Sequence, residues 1–326
     1  MSYALTLLRR TIRNRLGWKW IGLAFSITIA VVAFYALAQA LKNIDVNQVR
    51  QAVWLTETWR IVVAACLVAA CYASLTLYDL LALRAIGRRE IPYRIAALAN
   101  FTSYPIAHGV GAVLPVSTAI RYRIYSVHGL TAIEVAKICF LTGLTFWLGN
   151  LTALGLSMFH EPDAVGLIDH LPRAVNQLLA VGLLVAVAFY LYWTWNETRR
   201  VGRREWSVIL PGGRIALLQI GLGVLDLSCA ALAMYVLIPP GMNIDVARVV
   251  AVFIAATLLG FASHTPGGIG VFDATILIGL DTDNKEALLA VLILFRLFYH
   301  LVPFVLALAV FGAREAWRSL QDRSGS

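Results

Sequence analysis

The chain has 326 residues, of which 60% are hydrophobic and 14% charged, with a mean hydropathy of +0.76; this excludes a soluble globular enzyme as the body of the molecule. Several apolar runs of about twenty residues match a bilayer core, and the segments between them are too short to bury cores of their own. The net charge of +9 does not point to nucleic acid, because the basic residues come in short blocks beside apolar runs, where they orient a membrane chain and meet anionic head groups.

Arg9, Arg10, Arg13, Arg15 and Lys19 precede a first span at Ile21 to Leu41, which is too long for the apolar part of a signal peptide and lacks its cleavage site. The amino terminus is therefore expected in the cytoplasm. An interfacial stretch ending in Trp54 and Trp59 leads to a second span, Ile61 to Leu83, and to an inner loop with Arg84, Arg88, Arg89 and Arg94. A third span covers Ala132 to Met158 and a fourth Ala174 to Trp195, separated by a loop with Glu161, Asp163 and Asp169 that reads as external. The loop with Arg199, Arg200, Arg203, Arg204 and Arg214 reads as internal. A fifth span, Ile215 to Ile238, and a sixth, Ala287 to Phe311, complete the set, and Arg314, Arg318 and Arg323 keep the carboxyl terminus inside. Outer segments hold only Lys42, Arg50, Arg60, Arg173, Arg248 and Lys285. Cys66, Cys71, Cys139 and Cys229 lie inside apolar runs without metal-ligand spacing, so neither disulfides nor zinc are expected.

Two apolar segments are broken. Ile95 to Ile120 contains Pro105, His108, Gly109, Gly111 and Pro115; Val249 to Leu280 contains His264, Pro266, Gly267, Gly268 and Gly270. Proline removes a helix donor and glycine costs chain entropy, so each predicts two half-helices with an irregular joint. In lipid, such a joint must be enclosed by protein or face a wet cavity. The charge pattern is consistent with the first segment dipping from the cytoplasm and the second from outside. The predicted fold is then an all-α helical bundle, a single transmembrane domain over 1–326. It has about six full spans and two re-entrant segments, arranged as inverted repeats over about 20–158 and 174–311; eight full spans is the alternative. Discontinuous segments in matching positions of two halves point to a transporter's binding site near the bilayer midplane.

The stretches IRYRIYSVHGL (120–130), SHTPGGIGVFDATIL (263–277) and RLFYHLVPF (296–304) resemble the transmembrane flippase region of the lysylphosphatidylglycerol synthase/flippase, the multiple peptide resistance factor, and its stand-alone relatives. That resemblance implies a polytopic helical bundle with re-entrant segments that moves phospholipids between leaflets of the bacterial inner membrane. It also implies a separate lipid-modifying enzyme as partner, with oligomerisation left open. Two departures stand out: Asp273 occupies a place where the family more often has Glu, and Pro115, Ser117 and Thr118 replace a more Gly-rich run. The sequence ends soon after the sixth span, so aminoacylation is not expected of it.

The residues themselves supply a site. Ser117 and Thr118 can cap a half-helix starting after Pro115, and Arg121 can lean back toward that joint, where free N–H groups favour an anion. For Arg123 an ordinary positive-inside role stands equally. Arg296 lies roughly nine residues into the last span, about 14 Å deep, where an arginine needs a partner or water. Asp273 and Asp226 are the carboxylates at similar depth, and Asp273 can also cap the second half-helix. The candidate substrate contacts are Arg121, Arg123, Tyr125, His108 and Ser117 in the first half. In the second they are Pro266, Gly267, Gly268, Asp273, Arg296, Tyr299, His300 and Asp226. There is no HExxH, GxSxG or Walker motif.

The expected function is lipid flipping with no cofactor and no bond-making chemistry. The rivals are a carrier of a polyprenyl phosphate, a hopanoid or a small anion, an integral membrane enzyme of lipid metabolism, and a scaffold.

Overall fold

The computed structural model describes residues 47, 54, 56–196, 199–203, 207–263 and 265–324. The first span, its basic flank and His264 lie outside the described residues. Those described belong to one compact unit, Ile44–Ser326. Long helices are α1 (Thr58–Ala85), α4 (Ala132–His160), α6 (Arg173–Trp195), α7 (Gly213–Leu237) and the pair α10 (Lys285–Arg296) and α11 (Val302–Ser324), joined by a π-helical turn at Leu297–Leu301. These supply the five described segments long and apolar enough to cross a membrane. The shorter helices are α2 (Tyr93–Val110), α3 (Val113–Tyr125), α5 (Pro162–Asp169), α8 (Val246–Ala262) and α9 (Val271–Leu280). The loop after α6 adds a two-residue antiparallel ladder pairing Arg200 with Ile209 and Val201 with Val208.

Both broken segments fold back on themselves. Helix α2 packs along α3, and α8 along α9. Arg88, just before the first hairpin, donates to Glu134, just after it, at 2.6 Å. Arg123 near the hairpin's end donates to Glu315 on α11 at 2.8 Å. Both ends of the hairpin and the carboxyl-terminal part of α11 therefore lie at one face, which eight full spans could not produce. In the second hairpin Arg248 at the start of α8 donates to the carbonyl of Gly279 at the end of α9, 3.1 Å away. The base of this hairpin packs against α5, at the far end of α4. The two hairpins thus enter from opposite faces.

The sequence explains both joints. Helix α2 stops where Gly111 takes a φ of +81°, a left-handed conformation costly for other residues. In the second joint Gly267, Gly268 and Gly270 have φ of +59°, +65° and +87° around a single 3₁₀ turn. The hydroxyl of Ser263 donates to the Gly260 carbonyl at 2.7 Å and lies 2.9 Å from that of Thr265, so side chains supply part of what the interrupted ladder gives up.

One local expectation is corrected. Helix α3 begins at Val113, before Pro115, and its amino end has no side-chain cap; Ser117 donates instead to the Leu114 carbonyl, and Thr118 to the Cys139 sulfur. Pro115 occupies the third helical position, where the missing N–H has no intrahelical acceptor to lose, so the proline need not be a boundary.

The first hairpin packs on α11 through α2 and the second on α4 through α8, while α1 packs on α7. Small residues permit the closest approach: a Cβ added to Gly149 of α4 would fall 2.5 Å from the Gly223 Cα of α7. Nearby, Gln219 donates to Thr145 at 2.7 Å across the same interface.

Candidate functional site

The two joints meet. Tyr104, His108, Gly111 and Val113 from the first hairpin and Thr257, Gly260, Phe261, Thr265, Gly267 and Gly268 from the second line one cavity, closed by Phe146, Phe272, Phe295, Tyr299 and His300. Its volume of about 70 Å³ is comparable to a few water molecules, too small for a phosphodiester with its substituents. The His108 ring lies tilted against that of Tyr104, ring centres 4.1 Å apart, with Nδ1 3.1 Å from the Tyr104 carbonyl. His300 buries Nδ1 without a hydrogen-bond partner.

Arg296 closes the back of the second joint. It donates Nε to Asp273 Oδ1 at 2.8 Å, Nη2 to Asp273 Oδ2 at 2.6 Å, and Nη1 to the Gly267 carbonyl at 3.3 Å. Asp273 also accepts from the Gly270 N–H at 3.1 Å, at the positive end of α9. A planar guanidinium matching a carboxylate with two parallel bonds is a strong geometry, and a phosphate can take the same fork. The side chains of Arg296 and Asp273 are 16% and 23% exposed, so this pair is not sealed.

A π turn follows, in which the Val302 N–H donates to the Leu297 carbonyl just ahead of Pro303. Proline has no N–H for the carbonyl four residues back, which belongs to Tyr299. The Tyr72 hydroxyl of α1 takes that carbonyl at 2.9 Å. The turn also stacks Tyr299 on Phe295 with ring centres 5.0 Å apart. In the spacing R..Y...P, then, Arg296 grips Asp273, Tyr299 offers its carbonyl to Tyr72, and Pro303 lacks the N–H that would otherwise take that carbonyl.

Arg121 is committed elsewhere. It is buried and grips Asp79 of α1 with Nε and Nη2, at 3.0 Å to Oδ2 and 2.8 Å to Oδ1. Tyr125 donates to Asp79 at 2.7 Å and Asn100 at 2.9 Å, so this network pins the first hairpin to α1. The expectation that Arg121 leans toward the joint is therefore corrected, because a wholly buried carboxylate attracts it more strongly than helix-end N–H groups. Arg123, 38% exposed and paired with Glu315, sits at the face with the hairpin's ends. Asp226 lies apart from Arg296, hydrogen-bonded to Cys71 and Tyr78 of α1.

A second feature is barely marked in the sequence. A groove of about 660 Å³ runs between α1, α2 and α11, lined by alanines, valines, leucines, Tyr72, Phe101, Phe298 and Pro303, with Thr76, Tyr93 and Arg94 at one end. The Tyr93 and Thr76 hydroxyls are 2.7 Å apart. Tyr72 and its partner Tyr104, in edge contact at 6.1 Å, stand between this groove and the cavity. A groove built from one residue on each of several turns of three helices leaves no motif; the Arg94 beside an apolar hairpin was its only visible sign.

No protein-family model matches the chain. Relatives do. An uncharacterised protein of Synechocystis is 29% identical over 259 residues, 78% of this chain and 80% of that one. The inner membrane protein YbhN of Escherichia coli is 26% identical over 295 residues, 88% of each. The phosphatidylglycerol lysyltransferase of Bacillus subtilis is 25% identical over 296 residues, 88% of this chain but 33% of that protein. The resemblance carried by PGGIGVFD and RLFYHLVPF thus extends over most of the chain, and the match takes in about a third of the lysyltransferase. With an inner membrane protein among its relatives and five described membrane-crossing segments, the chain is a multi-pass inner membrane protein.

Proposed function

We propose that this relative of the phosphatidylglycerol lysyltransferases moves phospholipids with anionic or aminoacylated head groups between the leaflets of the bacterial inner membrane, and that it is a transporter and not an enzyme. The observation that carries the reading is the meeting of two oppositely directed broken helices at one cavity, with Arg296 behind the joint. Moving a phosphate through hydrocarbon requires replacing its hydration shell, and arginine with free helix-end N–H groups can do that. Asp273 then serves as the resting counter-ion, released from Arg296 when a lipid phosphate arrives. The lateral groove offers room for acyl chains while the head group passes, with exposed Arg94 at the head-group level. The cavity's small volume makes this the closed arrangement, and relative movement of the halves would open it.

The test is reconstitution in vesicles with fluorescent lipids. Phosphatidylglycerol, lysylphosphatidylglycerol, phosphatidylcholine and a polyprenyl phosphate would be compared for leaflet exchange. Acceleration of the first two over protein-free vesicles is expected; acceleration of none would overturn the reading, and of the polyprenyl phosphate alone would reassign the substrate.

The orientation we assign places both termini in the cytoplasm, with the Arg88 to Arg94 face inside. In a background lacking the four native cysteines, single cysteines within 161–169 and 281–285 should react with an impermeant reagent added outside. Cysteines at positions 123 and 199–203 should react only after permeabilisation. Outside labelling of Arg123→Cys would invert or refute the assignment.

A further inference from the structure

Among the described residues the charges inside the helical bundle do not balance. Three carboxylates, Asp79, Asp226 and Asp273, lie there, and of the described arginines beside them Arg121 is held by Asp79 and Arg296 by Asp273, each in two bonds. Asp226 is left over. It is 3% exposed, and its hydrogen-bond partners are neutral: the Cys71 thiol at 2.7 Å from Oδ1 and the Tyr78 hydroxyl at 3.4 Å from Oδ2. The other titratable groups facing it are Tyr72 from α1, Tyr104 from α2, Cys229 on its own helix and Tyr299 from the π turn, all uncharged. Among the described residues no Lys, Arg or His pairs with it.

A carboxylate without a cation in a bilayer interior loses its hydration and recovers little from a weak thiol donor and a long phenol contact. The acid form has no such penalty. Asp226 is also linked to the cavity between the joints. The Cys71 sulfur that touches it lies 3.9 Å from the Tyr299 hydroxyl, and Tyr299 lines that cavity with His108 and His300.

We infer that Asp226 is a proton-carrying site that couples opening of the cavity to proton exchange, so that a transmembrane proton gradient drives net lipid movement. This rests on the transport reading above. With the cavity closed and empty, Asp226 holds a proton. When the cavity opens and water enters past Tyr299, the carboxyl O–H bond breaks, the proton passes to water on that face and the electron pair stays on the carboxylate. The loaded cavity closes with Asp226 ionised, the ammonium of the aminoacylated head group supplying the missing cation. On the other face the lipid leaves, a proton from that face adds to the carboxylate, and the empty cavity returns, so one proton crosses against each lipid.

Two measurements separate this from failure of the transport reading. The first needs no substrate: infrared spectroscopy of the purified protein should show the C=O stretch of a protonated buried carboxylic acid at neutral pH, absent in Asp226→Asn. An identical acid band in wild type and variant, or no band in wild type, would overturn the assignment even if no lipid is moved. The second uses vesicles containing fluorescent lysylphosphatidylglycerol. A one-unit pH gradient should shift the leaflet distribution by up to about tenfold at one proton per lipid, reversing when the gradient is reversed. In Asp226→Asn the ratio of distributions with and without the gradient should fall to one. Exchange in wild type that ignores both the gradient and a protonophore would refute coupling while leaving transport intact, and a variant that still follows the gradient would move the proton site elsewhere.

Discussion

Arg121→Ala is expected to be the most destabilising single substitution in the first half of the protein. The guanidinium is buried and its partner Asp79 is 0% exposed, so removing the arginine strands a carboxylate held only by Tyr125 and Asn100. Breaking one side of such a pair costs about 3–5 kcal/mol, a large part of a typical total stability of about 5–15 kcal/mol. Thermal unfolding in detergent, followed by size-exclusion chromatography, should show a clear drop in the folded fraction. Replacing both members, as in Asp79→Leu with Arg121→Met, should recover most of the loss, since a well-packed apolar pair can substitute for a buried ion pair. If Arg121→Ala is as stable as wild type and fails only in lipid exchange, the network is not structural and Arg121 returns to the head-group site.

Arg296→Ala is expected to produce the largest loss of transport. The Arg296–Asp273 pair is less enclosed than Arg121–Asp79, so the stability cost should be at the lower end, about 3 kcal/mol or less. Its functional cost should be larger. Charge-assisted hydrogen bonds contribute about 1.5–3 kcal/mol each, so losing those to a phosphate corresponds to a tenfold or greater fall in exchange rate. The double variant Asp273→Ala with Arg296→Ala separates the roles. It should regain stability over Arg296→Ala, because no carboxylate is left unpaired beside Gly270, yet remain slow in exchange. Recovery of both together would make the pair a purely structural clasp, with phosphate bound elsewhere.

Much of this protein was legible in its sequence because hydrophobicity and charge act locally. Spans declare themselves by length and apolar content. The two joints were marked by Gly111 and by Pro266 to Gly270, since only special backbone conformations break an apolar helix there. Arg296 had to find a partner because an arginine inside a span is costly wherever the chain goes. That much needs only neighbouring residues and the bilayer. The choice of partner needs three dimensions. Asp79 lies 42 residues from Arg121 and reaches it only when the hairpin folds against α1. Asp226 and Asp273 were equal candidates for Arg296 by depth, and packing gave Arg296 to Asp273, leaving Asp226 among neutral hydroxyl and thiol groups. The spacing R..Y...P was visible as a motif. Its meaning, a carbonyl freed by Pro303 and taken by Tyr72 from 227 residues away, came from contact between distant helices. Sequence by itself determined which groups must not be left alone in a membrane; tertiary structure decided their company, because hydrogen bonds and ion pairs form across space between residues whose separation along the chain carries no information about their distance.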